Sequence, residues 1–400
     1  LLPWITATAY IHSVLVQERR GMLRVWNLSL LVSTFSLTIL GTFLTRSGVL
    51  NSVHAFSESA IGPWLLSFFA IIVVVSVGLI GWRGDRLHSP GSIDSALSRE
   101  GAFLANNVLF AVFAFVVLLG TVFPLVVEAL QSRTIVVGEP FFDQLVIPIG
   151  IAMLTLMAIA PVLPWRKASG ELLSQRLFWP AWCGIGALAL SVFVGATGFA
   201  PLLAFGLGGF ATGSALRQVV LATRRQGWRG LVGRANGGMI VHFGVIMISV
   251  ALAASNSFTH SQELSLVVGK PATFSGHTFE LIDVVQITTD RDISVKALVS
   301  VDGGKPYAPA ITKFTKIGMN VGTPSVRTGF GSDIYLTLEP PVRQDSNEAR
   351  IKVFIKPLIL WLWIGSGLMA VGTVLAAFPG KRRKPTDPTS ALIDSHEVSR

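Results

Sequence analysis

Long apolar runs separated by short polar segments make up most of the first 255 residues, and one more run lies near the end of the chain. A helix needs about 20 residues to cross a bilayer core, at about 1.5 Å per residue. Runs near this length occur at residues 1–16, 25–44, 62–82, 102–127, 144–164, 178–197, 201–222, 237–255 and 358–378. The pattern predicts an all-α polytopic membrane protein with about nine transmembrane helices.

Residues 256–356 have a different pattern. Stretches such as HTFELIDVVQIT and DIYLTLE alternate apolar and polar positions, and glycine and proline lie between them. Period-two alternation is typical of short β-strands. We therefore expect a bundle of about eight spans at 1–255, a small β-rich domain at 256–356, a last transmembrane helix at 357–379 and a basic tail at 380–400.

Basic residues predict the orientation, because short cytoplasmic loops retain Lys and Arg. They concentrate in alternate connections: Arg19, Arg20, Arg24; Arg83, Arg86, Arg99; Arg166, Lys167, Arg176; Arg224, Arg225, Arg229, Arg234; and the tail from Lys381. The intervening short connections carry only Arg46, only Arg133, and none. We expect the first set in the cytoplasm, and the β-rich domain and the segment TRSGVLNSVHAF (45–56) outside it.

Composition agrees with a membrane protein: 51% of residues are hydrophobic, 14% are charged and the mean hydropathy is +0.62. The net charge of +10 follows the topology rather than one soluble face, which argues against nucleic-acid binding. Cys183 is the single cysteine, so the chain's own thiols cannot form a redox pair. The first residues, LLPWITATAY, have no initiator Met, no charged region and no cleavage site of a signal peptide, and we expect a truncated chain or one part of a split protein.

Two histidines stand inside predicted spans, where titratable groups are costly and suggest a function. His12 and His242 are expected at similar depths, about 7 and 10 Å from the inner ends of their helices. They could ligate one haem iron from opposite sides, and Gly237, Gly238 and Gly244 would let a flat macrocycle approach. Alternatively, each histidine forms a hydrogen bond to a neighbouring helix. In the β-rich domain, His260 and His277 lack metal-type spacing and are expected to be ordinary residues.

Two other classes remain as alternatives. A transporter or channel usually places ionisable groups at the membrane midplane, and no Asp, Glu, Lys or Arg lies near the middle of any predicted span. A non-catalytic scaffold of a larger complex would use the β-rich domain for docking.

Three segments resemble a known family: ITATAYIHSVLVQERRGMLRVWN, LGTFLTRSGVLNSVHAF and GGMIVHFGV. They look like signatures of the CcmF family of cytochrome c-type biogenesis proteins, and the resemblance runs over essentially the whole chain. It implies a haem lyase of the bacterial inner membrane. Such a protein attaches haem through thioether bonds to the CxxCH cysteines of apocytochrome c on the periplasmic side.

The resemblance also implies roles for individual residues. His12 and His242 match the two ligands of a resident haem b in the membrane, a proposed electron donor. His54 matches one external ligand of the haem that is transferred as substrate. Arg46 lies where haem propionates are expected, although an interfacial arginine extending its side chain to water is the competing interpretation.

The implied partners are apocytochrome c, the periplasmic haem chaperone CcmE, and apocytochrome chaperones of the CcmH and CcmI type. Family members carry a tryptophan-rich WWD segment that should lie just before Leu1, and a further external histidine upstream of it. Both are absent from this sequence, so we expect the missing N-terminal part to act as a further partner.

Overall fold

The computed structural model describes residues 1–49, 61–87, 93–167, 169–289, 292–314, 320–341 and 347–378. Two compact units form within this part of the chain. The first contains Leu1–Trp182 together with Leu216–Gln218, and the second contains Cys183–Ala215 together with Val219–Phe378.

Nine long α-helices occur in the described residues, close to the predicted apolar runs. They are α1 (Leu2–Arg20), α2 (Arg24–Arg46), α3 (Gly62–Trp82), α4 (Arg99–Gln131), α5 (Glu139–Ile159), α6 (Gly170–Phe193), α7 (Phe199–Gln226), α8 (Arg234–Phe258) and α9 (Ile359–Ala377). Among the described helices, eight are long and apolar enough to cross a membrane, from α2 to α9. The remaining helix, α1, is 19 residues long and ends with two arginines. The predicted helical membrane fold is confirmed.

The helix ends extend beyond the apolar runs, because polar residues continue or cap the helices. Helix α4 begins at Arg99, and the Ser98 side chain accepts a hydrogen bond from Gly101 N at 3.0 Å. A serine at this position satisfies an amide that has no partner within the helix. Helix α1 continues to Arg20 and ends at Gly21, whose φ of 67° is left-handed. Glycine adopts this conformation without steric cost.

The β-rich region lies where the alternating pattern predicts it. Its strands are β1 (His260–Val267), β2 (Ala272–Phe274), β3 (His277–Thr288), β4 (Asp292–Val301), β5 (Pro306–Tyr307), β6 (Ala310–Phe314), β7 (Asn320–Thr323), β8 (Ser325–Arg327), β9 (Ser332–Glu339) and β10 (Glu348–Pro357). One antiparallel sheet has the order β1-β10-β9-β8; the other has β2-β3-β4-β6-β7, with β5 beside β4. The two sheets share one apolar core that includes Leu266, Phe279 and Ile351.

The β region joins its two flanking helices through single residues. Thr259 connects α8 to β1, and Leu358 connects β10 to α9. Strands β1 and β10 pair from His260↔Ile355 onward, so the ladder begins where the helices end. The Trp361 indole of α9 also donates a hydrogen bond to the Phe330 carbonyl at 3.1 Å. These contacts attach the β region closely to the ends of α8 and α9.

Candidate functional site

His12 is held in a defined orientation on α1. Its Nδ1 lies 2.8 Å from the Thr8 carbonyl oxygen, one turn earlier. A carbonyl oxygen only accepts hydrogen bonds, so Nδ1 carries the proton and the neutral ring keeps its lone pair on Nε2. The ring also contacts Phe103 and Phe110 of α4, with centroid distances of 6.1 and 5.9 Å. Metal-ligating histidines commonly use this arrangement, because the Nδ1 hydrogen bond fixes the tautomer and the ring.

A buried ion pair fastens the end of α1 to the start of α4. Arg20 Nε lies 3.1 Å from Glu100 Oε1, and the Glu100 side chain is only 3% exposed. Glu100 also accepts a hydrogen bond from Arg166 N at 3.0 Å, and Arg20 pairs with Asp94 at 3.0 Å. Buried carboxylates are tolerated when they are paired and hydrogen-bonded. These contacts fix the position of α1, and therefore of His12, along α4.

His242 lies on α8, which packs closely against α9. A Cβ added at Gly237 or Gly244 would overlap the backbone of α9, at Ala376 and Gly365 respectively. The expectation that these two glycines leave room for a macrocycle is therefore wrong, because a neighbouring helix fills the space.

Gly238 differs from these two glycines. No atom of the described residues lies within 4 Å of a Cβ built there. It stands one turn before His242 and so shares its side of the helix. A flat group could approach the α8 backbone at Gly238, and the role suggested for this glycine stays a prediction.

Both histidines stand at the same distance from the basic ends of their own helices. His12 comes eight residues before Arg20, the last residue of α1, and His242 comes eight residues after Arg234, the first residue of α8. Eight residues of helix span about 12 Å. The similar membrane depth of the two histidines, expected from the sequence, remains a prediction. The position of each histidine within its own helix agrees with that prediction.

The external candidate residues lie at and beyond the end of α2. Arg46 is the last residue of this helix, and its side chain is exposed. This position suits an arginine at a membrane surface. His54 lies outside the described residues, so its role stays a prediction.

One histidine of the β region takes part in a polar cluster. His277 Nδ1 lies 2.8 Å from Asp302 Oδ2, and Arg327 Nη1 lies 2.5 Å from the same oxygen. The Thr278 amide donates to Asp302 Oδ1 at 2.9 Å. These hydrogen bonds, that of Thr278 first, hold the pKa of Asp302 well below its usual range. The cluster ties β3 to β8 and so supports the ordinary structural role expected for His277.

Reasoning from ionisable residues inside the membrane misses two buried neutral polar side chains. Asn107 of α4 and Ser13 of α1 are both fully buried. The signal was present in the sequence, since Asn107 interrupts the apolar run FLANNVLFAVF. In the described ranges, no group of three or more His, Cys, Asp or Glu side chains could hold a metal ion.

Known proteins resemble this chain over almost its whole length. Cytochrome c-type biogenesis protein CycK of Bradyrhizobium diazoefficiens is 32% identical over 94% of this chain, and CcmF of Escherichia coli is 30% identical over 97%. A solved structure, "Cytochrome c Heme Lyase CcmF", superimposes with a TM-score of 0.75 over 94% of this chain at 29% identity. The chain is thus similar to CcmF proteins in sequence and in fold. The resemblance seen in the sequence is thereby confirmed.

The match covers almost all of this chain but only part of each relative. The chain spans 59% of the CycK sequence, 60% of the E. coli sequence and 59% of the solved CcmF chain. No family model matches the chain. The similarity therefore establishes the fold, and the activity of the longer proteins enters below as a proposal.

Proposed function

We propose that this chain acts in cytochrome c maturation as part of a haem lyase. The observation that carries the proposal is the similarity to CcmF proteins in sequence and in structure over at least 94% of the chain. The substrates would be haem, delivered by a chaperone of the CcmE type, and an apocytochrome c presenting CxxCH cysteines. Partners of the CcmH and CcmI type would complete the assembly.

The resident cofactor in this proposal is a haem b with His12 and His242 as axial ligands. The local chemistry of each histidine fits. The His12 Nδ1 proton is donated to the Thr8 carbonyl, and Nε2 is the ring nitrogen that would coordinate iron. His242 has the open position at Gly238 one turn away on its own helix. A bis-histidine haem supplies one-electron chemistry, which would keep the substrate haem reduced.

His54 and Arg46 would serve the transferred haem outside the membrane. In this proposal His54 is one axial ligand of that haem, and Arg46 pairs with a propionate. The exposed position of Arg46 at the end of α2 supports the second role. Arginine binds carboxylates in a bidentate geometry, so it can orient a propionate as well as neutralise it. Thioether formation between a vinyl group and a thiol then depends mainly on positioning.

Absorption spectra of the purified full chain, with and without dithionite, test the resident haem. We expect a reducible low-spin b-type spectrum that is lost in His12→Gly and His242→Gly. Added imidazole should restore the spectrum in each glycine variant, because a small imidazole can replace the missing ligand.

The control for this experiment is His54→Ala. It changes a histidine assigned to the substrate haem and should leave the resident spectrum unchanged. A colourless protein from haem-sufficient cells would overturn the proposal. A spectrum that survives in both glycine variants would reject these two ligands.

A further inference from the structure

Three buried polar residues lie on α1, α2 and α4. Ser13 and Asn107 are 0% exposed and Asn27 is 4% exposed. Helices α1 and α4 are antiparallel neighbours, since Arg20 at the end of α1 meets Glu100 at the start of α4. Asparagine is unusual in an apolar span, and α2 and α4 are both apolar enough to cross a membrane.

Contacts on either side set the register of α1 against α4. The apolar cluster of Ile5, Ala9, Leu30, Phe110 and Ala114 lies toward the start of α1. The Arg20–Glu100 pair, at 3.1 Å, lies at its end, and in this antiparallel register Ser13 of α1 is level with Asn107 of α4. The Asn27 amide nitrogen lies 2.5 Å from Gln17 Oε1, so Asn27 of α2 is level with Gln17, one turn further along α1.

Several polar atoms of these three side chains lack a protein partner. Within the described residues, no group forms a hydrogen bond with Ser13 Oγ, with either polar atom of the Asn107 side chain, or with Asn27 Oδ1. An amide side chain offers two donor hydrogens and an acceptor oxygen. Leaving such groups dry in an apolar interior costs free energy, and buried polar atoms are ordinarily satisfied by protein or by bound water.

We propose that Ser13 and Asn107 form a binding site for water between α1 and α4, beside His12. The Ser13 hydroxyl and the two polar atoms of the Asn107 amide supply the two to four partners that a buried water requires. These two side chains carry no net charge, so water fits the site better than an ion does.

The site lies close to His12 through α4. Phe103 precedes Asn107 by four residues and Phe110 follows it by three, so all three share one side of the helix. The His12 ring contacts both phenylalanines. Water held at Asn107 is therefore next to the imidazole that the proposed function assigns to iron, and this part of the inference rests on that assignment.

Bound water next to an axial ligand makes the surroundings of the haem more polar. A polar environment favours the oxidised haem, because its iron carries one more positive charge than the reduced form. Asn107 would thus be a positioning residue: it touches neither iron nor substrate, and it acts through the water that it holds.

Microsecond hydroxyl-radical footprinting with mass spectrometry tests the water site on the full chain. Radicals formed from bound water oxidise neighbouring side chains even when these are shielded from bulk solvent. Phe110 is 7% exposed and lies one turn from Asn107. We expect oxidation of Phe110 in the unmodified protein and its loss in Asn107→Leu and in Ser13→Ala.

Ser13→Ala removes a single oxygen and preserves the helix, so it keeps the test valid if Asn107→Leu does not fold. The matched control is Thr121→Val on α4, whose hydroxyl bonds its own helix at the Val117 carbonyl, 2.7 Å away. The control should leave Phe110 oxidation unchanged. Absence of oxidation in the unmodified protein, or equal oxidation in all variants, would overturn the water site.

A redox titration separates this inference from the proposed function. Asn107→Leu should keep the b-type spectrum and raise its midpoint potential, and Thr121→Val should leave the potential unchanged. Loss of Phe110 oxidation without a change in potential would overturn the link to the haem. A protein without any haem spectrum would overturn the proposed function, while the footprinting result would still decide the water site.

Discussion

The helices that carry His12 and His242 are held against their neighbours by different kinds of contact. Helix α1 meets α4 through side chains: a buried ion pair, aromatic rings around His12 and a layer of buried polar groups. Helix α8 meets α9 through backbone. A Cβ built at Gly365 would lie 2.8 Å from the Gly244 oxygen, and one at Gly372 would lie 2.6 Å from Val241 N.

This difference predicts how each helix pair responds to change. Backbone packing between small residues tolerates no added volume, because each helix has the other's main chain at contact distance. Side-chain packing can adjust by changing rotamers, and its weak point is the loss of a polar partner. Added bulk should therefore damage the α8–α9 pair most, and loss of charge or hydroxyl groups should damage the α1–α4 and α1–α2 contacts.

The largest effect is expected for Gly365→Leu. The new side chain must displace the α8 backbone at Gly244, and overpacking of this kind costs about 3 kcal/mol of unfolding free energy. The matched control is Gly367→Leu, two residues away on α9, where no described atom lies within 4 Å of an added Cβ. Thermal unfolding in detergent measures both variants. Equal stability of the two would refute backbone packing as the basis of this pair.

A smaller effect is expected for Glu100→Gln. The variant keeps an oxygen for Arg166 N but removes the charge that Arg20 pairs with, at a cost of about 2 kcal/mol. The loss is moderated because Arg20 retains Asp94. Denaturant titration of the purified protein measures the change in unfolding free energy.

Glu171→Gln is the control for this change. Glu171 is also an acidic residue in the first turn of its helix, α6, but it is exposed. Both substitutions remove a charge that favours a helix N-terminus, which is worth only a few tenths of a kcal/mol at an exposed position. A similar loss in the two variants would mean that the buried ion pair adds no stability.

The sequence predicts much of this architecture and little of the packing. The apolar runs located all nine long helices and the alternating pattern located the β strands, because both periodicities are local properties of the chain. Helix ends were less accurate: α4 starts at Arg99 rather than near 102, since the Ser98 cap lies outside the apolar run.

In the candidate site, too, the sequence predicts which residues are unusual but does not predict what packs against them. His12 and His242 were identified because a histidine is rare inside a span. The use of a small residue, in contrast, depends on what packs against it. Gly237 and Gly238 are adjacent and chemically identical, yet α9 covers the first and no described atom approaches the second. Only the tertiary arrangement shows that Gly237 contacts a neighbouring helix and that Gly238 does not.

The smallest effect concerns a single hydrogen bond between α1 and α2. Thr34 Oγ1 lies 2.9 Å from Thr6 Oγ1 of α1 and 2.8 Å from the Leu30 carbonyl of its own helix, and interhelical hydrogen bonds in membrane proteins contribute about 0.6 kcal/mol on average. Thr34→Val should therefore lower the unfolding free energy by about that amount. Thr38→Val is the control, because the Thr38 hydroxyl bonds within its own helix at the Thr34 carbonyl, 2.9 Å away.

A double-mutant cycle isolates this contact from the local cost of each substitution. Thr6→Val, Thr34→Val and the double variant should give a coupling energy near 0.6 kcal/mol, and the pair Thr6→Val with Thr38→Val should give none. If the two couplings are equal, the hydroxyl contact does not hold α1 to α2. Attachment of α1 to α2 would then rest on the Asn27–Gln17 hydrogen bond and on apolar packing, while the Arg20–Glu100 pair and the two phenylalanines around its ring would still position His12 against α4.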